Sequence, residues 1–275
     1  MQAHYETLPM RDATLRERLR DPRRLAAIAI LALTGGIIGA VLYLRGELAG
    51  VDALAYWSAV HTWLAGGNPY APTPPIMPYA YAPWTLYLFL PWALLPWDIA
   101  WFAWRAASIV LFAVSVAWAY ERRPLATAVT VALLGAPLAA NLDTGNVGVF
   151  LVLGVFAAQF TGPRMGGLLW ALAAALKWLP ALLIVFLPPR ARLWGIGFAT
   201  IFAIFAFATW PLTLQHIDVA LNYPRPLRLD YLLLLWAAVP WIWRRSWRFS
   251  WPATTRLPRS ASDVQRELRA FFGYG

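Results

Sequence analysis

The run from Leu25 to Leu44 carries no charge over about 20 residues, enough for a helix rising ~1.5 Å per residue to cross a ~30 Å hydrocarbon core. It is too long for the core of a secretory signal. It ends in Arg45-Gly46-Glu47 and not in a small-residue cleavage site, so it reads as a retained anchor. With 60% hydrophobic residues, 13% charged and a mean hydropathy of +0.55, the rest of the chain lacks the polar surface to cover a soluble globule. The fold class that follows is all-α, a polytopic integral membrane protein of about eight transmembrane helices. Beyond the first, spans are predicted near residues 84–96, 97–119, 124–140, 145–161, 165–187, 193–212 and 229–243.

Charge sets the orientation. The net charge of +10 is concentrated at the ends, with Arg11, Arg16, Arg18, Arg20, Arg23 and Arg24 before the first span and Arg244, Arg245, Arg248, Arg256, Arg259, Arg266 and Arg269 after the last. The positive-inside rule then puts both termini in the cytoplasm, and the expected location is the bacterial plasma (inner) membrane. Arginines placed where topology needs them, without a recognition motif, exclude nucleic acid as a partner. The organisation expected is a cytoplasmic basic segment over 1–24, a transmembrane domain over 25–243 and a cytoplasmic basic tail over 244–275. Within the domain, residues 45–83 form a long outer loop containing an interfacial helix.

One pair of spans sits awkwardly. If 84–96 and 97–119 both cross, Pro96-Trp97-Asp98 is a tight cytoplasmic turn, and Arg122 and Arg123 fall outside, against the charge rule. A rival merges 84–119 into one helix and brings Glu121-Arg122-Arg123 inside, but strands Arg190, Arg192 and the basic tail on the far side. The first arrangement is preferred here.

The outer loop holds the residues with chemistry. Asp52 puts a carboxylate at the membrane surface, and is equally suited to cap the short helix that begins Ala53-Leu54-Ala55. Tyr56, Trp57, His61, Asn68, Tyr70, Tyr79 and Tyr81 follow it, the tyrosines offering ring faces or interfacial anchors. Lys177 is the only lysine of the chain and lies in an otherwise apolar span, where a charge costs about 2.5–3.5 kcal/mol and requires a partner or a wet cavity. Asp143 or a carbonyl freed by Pro180 are internal partners for it, and a lipid phosphate is an external one. Arg105 raises the same question. Asp143-Thr144-Gly145-Asn146 reads as a helix-start cap on the cytoplasmic side, away from Asp52. The chain has no cysteine, and its isolated histidines make no metal site.

Taken in order, several segments resemble the N-terminal half of glycosyltransferase family 87. They are Asp52, Tyr56-Trp57, Gly67-Asn68-Pro69-Tyr70, Tyr79-Ala80-Tyr81-Ala82-Pro83-Trp84, Leu90-Pro91, Leu95-Pro96, Gly145-Asn146-Val147, and Ala173-Ala174-Ala175-Leu176-Lys177 with Pro180. The resemblance spans roughly residues 50–200. It departs from the family pattern at Ala82 (usually Pro), Asn146 (usually Gln) and Gly148 (usually Asn), and the chain is short at its C-terminal end relative to the family.

The resemblance implies a GT-C type fold and a hexosyltransferase. Such an enzyme moves a hexose such as mannose from a polyprenyl-phosphate sugar donor to a lipid or glycan acceptor on the outer face, without a cofactor. It implies catalytic roles for Asp52 and His61, donor-phosphate binding by Lys177 and Arg105, and substrate binding by Tyr56, Asn68, Tyr70 and Tyr81. The alternative is a non-catalytic GT-C-like subunit, a scaffold or lipid-binding component that meets a protein partner in a membrane complex.

Overall fold

A computed structural model describes residues 21–45, 50–71, 78–222 and 229–245. Most of the basic N-terminal segment, most of the C-terminal tail and parts of the outer loop lie outside these residues. The chain divides into two units, Met1–Pro240 and Trp241–Gly275. The first contains all of the site residues expected from the sequence.

All regular secondary structure among the described residues is helical. Helix α1 (Pro22–Arg45) starts with proline, whose missing N–H costs nothing in a first turn, while Asp21 Oδ1 accepts the Arg23 N–H at 3.0 Å. Next come α2 (Val51–Leu64), α3 (Trp84–Ala93) and α4 (Trp97–Arg122). Then follow α5 (Pro124–Leu133), α6 (Gly135–Thr144), α7 (Gly148–Ala158) and α8 (Pro163–Leu176). A 3₁₀ segment (Leu179–Phe186), α9 (Pro189–Ala208), α10 (Trp210–Asn222), a second 3₁₀ segment (Leu229–Ala238) and α11 (Val239–Arg245) complete the order.

Two prolines cut what the sequence offers as continuous spans. Pro137 has no N–H for the Leu133 carbonyl, so α5 stops there and α6 leaves at a bend of 59°. Pro180 likewise cannot serve Leu176, where α8 ends, and Lys177 is extended with φ −141° and ψ 139°. Among the described residues three helices (α1, α4, α9) are long and apolar enough to cross a membrane, and α5 with α6 makes a fourth if counted as one bent span.

The expected hairpin of spans 84–96 and 97–119 is not what forms. Helix α3 has ten residues, only about 15 Å. It lies along α2, where Trp57 Nε1 donates to the Leu95 carbonyl at 2.9 Å and the His61 ring meets the Ala93 carbonyl at 2.9 Å. Trp97 packs on Trp57 with ring centroids 6.0 Å apart. The turn at Pro96 therefore sits beside α2 and not at the opposite end of the bundle.

Helix α4 carries the chain away from this end as a single helix. Its last turn meets the first turn of α1, with Arg24 4.0 Å from Glu121 and Tyr120 donating to the Arg24 carbonyl at 3.4 Å. Arg122 thus joins Arg24 at one end. The rival single helix over 84–119 does not form either, since α3 and α4 are separate helices, and α8 with the first 3₁₀ segment forms a hairpin. Its limbs start at Arg164, stacked 5.0 Å from the Trp194 ring, and return to Arg192, which donates to the carbonyls of Leu187 and Val185 at 2.9 Å. Gly167 and Gly195 let α8 and α9 touch backbone to backbone: a Cβ on Gly167 would lie 2.6 Å from the Gly195 nitrogen.

Candidate functional site

Two interruptions of helix face each other, and a third element closes over them. The first is the three-residue break between α6 and α7, Gly145-Asn146-Val147. Gly145 ends α6 with φ 68°, and a Cβ there would lie 2.6 Å from the Ala53 side chain and 2.7 Å from the Trp101 ring. That close approach seats the break against the first turn of α2, and the Gly50 N–H donates to the Asp143 carbonyl at 2.7 Å. The second interruption is the tip of the α8 hairpin, at Lys177.

A chain of hydrogen bonds joins them. Asn146 Nδ2 donates to Asp52 Oδ2 at 2.7 Å, and Asn146 Oδ1 accepts Lys177 Nζ at 2.8 Å and the Gly148 N–H at 2.9 Å. With two donors on Oδ1 and a carboxylate on Nδ2, the amide has one sensible orientation. Asp52 and Asn146 are 9% and 4% exposed, so the bonds act in a low-dielectric setting where the ammonium polarises the amide toward the carboxylate. The Lys177 ammonium also lies 5.2 Å from the Tyr231 ring of the second 3₁₀ segment. Non-helical backbone at such a place is tolerated when buried in protein or lining a cavity, and a small cavity lined by Asn141, Asn146, Lys177, Pro180 and Tyr231 is present.

This corrects the reading of the Asp143–Asn146 turn as a cap remote from Asp52. Both residues are at the Asp52 end, and Asp143 pairs with Arg45, at 3.0 Å from its Nε, and not with Lys177. Asn146 is the site residue that sequence reasoning missed. Its signal was the Gly145-Asn146 motif itself, discounted because the misassigned hairpin inverted that part of the chain.

The other predicted residues divide. Tyr56, Tyr70 and Tyr81 form a closed cluster: the hydroxyls of Tyr56 and Tyr81 are 2.9 Å apart, Tyr70 donates to the Tyr81 carbonyl at 2.8 Å, and Tyr56 stacks on Phe89 at 5.1 Å. Tyr79 joins through a hydroxyl bond to Thr85. At 2–4% exposure these rings turn inward, and the expected open faces for sugar are not presented. Burial raises the Tyr70 and Tyr79 pKa values, and burial first, then Tyr81 and Asp52, raises that of Tyr56. These hydroxyls stay protonated and serve as hydrogen-bonding groups, not bases.

Asn68 is exposed and accepts the Tyr70 N–H at 2.9 Å, an Asx turn holding the loop. His61 is exposed, stacked on Trp57 at 3.9 Å, and nine residues along α2 from Asp52, about 13 Å by helical rise. It is not brought to the carboxylate. Arg105 lies 5.0 Å from the Trp101 ring, the same ring that packs on Gly145, and its buried Nε and Nη2 have no hydrogen-bond partner.

The family model for glycosyltransferase family 87 matches residues 79–230, more than half of the chain. The chain belongs to glycosyltransferase family 87. No curated protein and no solved structure matches it. Within this family 87 chain the match covers Tyr81, Arg105, Asn146 and Lys177, while Asp52, Tyr56, His61 and Asn68 precede it. Membership places the protein in a membrane glycosyltransferase family, which implies a sugar donor and an acceptor as substrates, and agrees with its apolar helices.

Proposed function

We propose that the protein transfers a hexose, mannose being the leading candidate, from a polyprenyl-phosphate sugar to a lipid or glycan acceptor at the outer face of the bacterial plasma membrane. The observation that carries this reading is the bond from Asn146 to Asp52, itself tied to Lys177. An acceptor hydroxyl attacks the anomeric carbon, the bond from that carbon to the phosphate oxygen breaks, the proton passes to Asp52, and polyprenyl phosphate leaves. Lys177 is engaged with Asn146, so its part is to polarise and fix the amide. Arg105, with two buried nitrogens lacking partners, suits the donor phosphate better.

The arginine positions support a cytoplasmic placement for the Arg24 and Arg122 end, with both termini on that side. If each limb of the α8 hairpin is counted, the path accommodates eight segments in a GT-C-like domain, with α2 and α3 as an outer-face layer. The test is transfer of labelled mannose from polyprenyl-phosphate mannose to membrane lipids by the purified protein. Transfer above a protein-free control is expected.

A second reading, a non-catalytic membrane subunit, draws on the self-packed tyrosine cluster, which leaves no ring face for sugar. Under that reading the same assay gives no transfer, and the protein purifies with a partner chain.

A further inference from the structure

The 59° bend between α5 and α6 swings α6 away from α1 and opens a groove of about 770 Å³ that no side chain of the described residues fills. Its walls are Ile30 to Val41 on α1 and small residues including Ala136 and Ala140 on the other side. That volume is within the ~300–1,000 Å³ typical of small-molecule sites, and Ile30 to Arg45 spans about 22 Å of helix, ample for an acyl chain.

The groove ends at a polar pair. Arg45 Nε donates to Asp143 Oδ2 at 3.0 Å, while the side chain of Arg45 is 55% exposed and lines the groove. Asp143 is 5% exposed, and its Oδ1 is buried without a hydrogen-bond partner. A buried carboxylate oxygen left unpaired costs about 1–3 kcal/mol or more, so this end of the groove asks for a hydrogen-bond donor.

From these features we infer that the α1/α6 groove holds an anionic phospholipid with a hydroxylated headgroup. One acyl chain lies between α1 and α6, the phosphodiester meets Arg45, and a headgroup hydroxyl donates to Asp143 Oδ1. A phosphodiester with a hydroxylated headgroup brings one negative charge and, apart from it, a neutral alcohol hydroxyl. A prenyl monophosphate brings up to two charges and no such hydroxyl, which sets it against the Asp143 carboxylate. The inference does not rest on the transfer reaction. The site is separate from Asp52, although the Gly50–Asp143 backbone bond makes its headgroup end a neighbour of the first turn of α2.

The test is native mass spectrometry of the purified full chain with lipids of identical acyl chains. Phosphatidylglycerol carries both the charge and the hydroxyl, phosphatidylmethanol the charge alone, and phosphatidylcholine neither. Retention is expected in that order, with phosphatidylglycerol roughly tenfold above phosphatidylcholine. Arg45→Gln should flatten the order, and Ala136→Phe, which fills the groove and leaves the charges intact, should lower retention of all three. Asp52→Asn should change nothing, which separates this site from the proposed transfer site. Equal retention of all three lipids by the wild-type protein would overturn the inference, as would equal retention of phosphatidylglycerol and phosphatidylmethanol, or displacement of phosphatidylglycerol by an equimolar polyprenyl phosphate.

Discussion

Asn146 holds the Asp52 carboxylate at 2.7 Å across 94 residues of sequence, and Lys177, a further 31 residues on, holds Asn146 at 2.8 Å. A neutral amide between a cation and an anion does two things. It fixes the rotamer of the carboxylate, and it links the ammonium to the carboxylate through one polarised amide.

Asn146→Leu removes the bridge. In this account the free carboxylate loses its orientation, and transfer falls by roughly 10²-fold, the scale associated with small misplacements of a reacting group. Steady-state kinetics should show the loss in kcat with little change in donor KM.

Lys177 and Arg105 are expected to separate kinetically. Lys177→Met leaves Asn146 Oδ1 with the Gly148 N–H alone and should lower kcat and thermal stability, the latter by about 1–3 kcal/mol. Arg105→Gln should raise donor KM. Weakened donor binding in Lys177→Met, with Arg105→Gln unaffected, would reverse the two roles.

Gly145→Ala strains the chain twice. An alanine pays about 1–2 kcal/mol for the left-handed conformation, and its Cβ meets Ala53 and Trp101 at under 3 Å. The variant should unfold at lower temperature in detergent and lose transfer together with stability, whereas Gly162→Ala, at an open position with ordinary φ, should do neither.

The tyrosine cluster predicts an alkaline signature. Burial raises the pKa values of Tyr70 and Tyr79, so neutral hydroxyls are favoured by the fold. The corresponding stability is complete below the ordinary tyrosine pKa of about 10 and is lost as pH rises toward the folded values. Absorbance titration should find these tyrosines ionising only with unfolding. Tyr70→Phe, which removes the bond to the Tyr81 carbonyl, should cost about 0.5–1.5 kcal/mol.

The helical class and the first span are legible because each rests on a local signal, and so are Asp52 as a carboxylate just past that span and Lys177 as a lone lysine in an apolar segment. The meeting of those two residues was not legible. It depends on which end of the bundle holds Gly145-Asn146, and that depends on whether 84–96 crosses. Hydropathy alone gives α3 the look of a short span, since its aromatic residues pack on α2 and hydropathy does not distinguish a protein neighbour from lipid. The arginines carried a related signal: counting 84–96 as a span set Arg122 and Arg123 against the charge rule, and the structure lays α3 along α2 and folds 163–188 into a hairpin. Tyr56, Tyr70 and Tyr81 were recognisable as a group, but inward or outward orientation is decided by tertiary packing.

In the proposed reaction Asp52, oriented by Asn146, receives the acceptor proton. The direct measurement is single-turnover transfer of labelled mannose from polyprenyl-phosphate mannose by wild-type protein and by Asp52→Asn, both shown folded by matched thermal melts. The account predicts clear product with wild type and a loss of at least about 10²-fold in Asp52→Asn with donor binding retained. Full transfer by folded Asp52→Asn would contradict it.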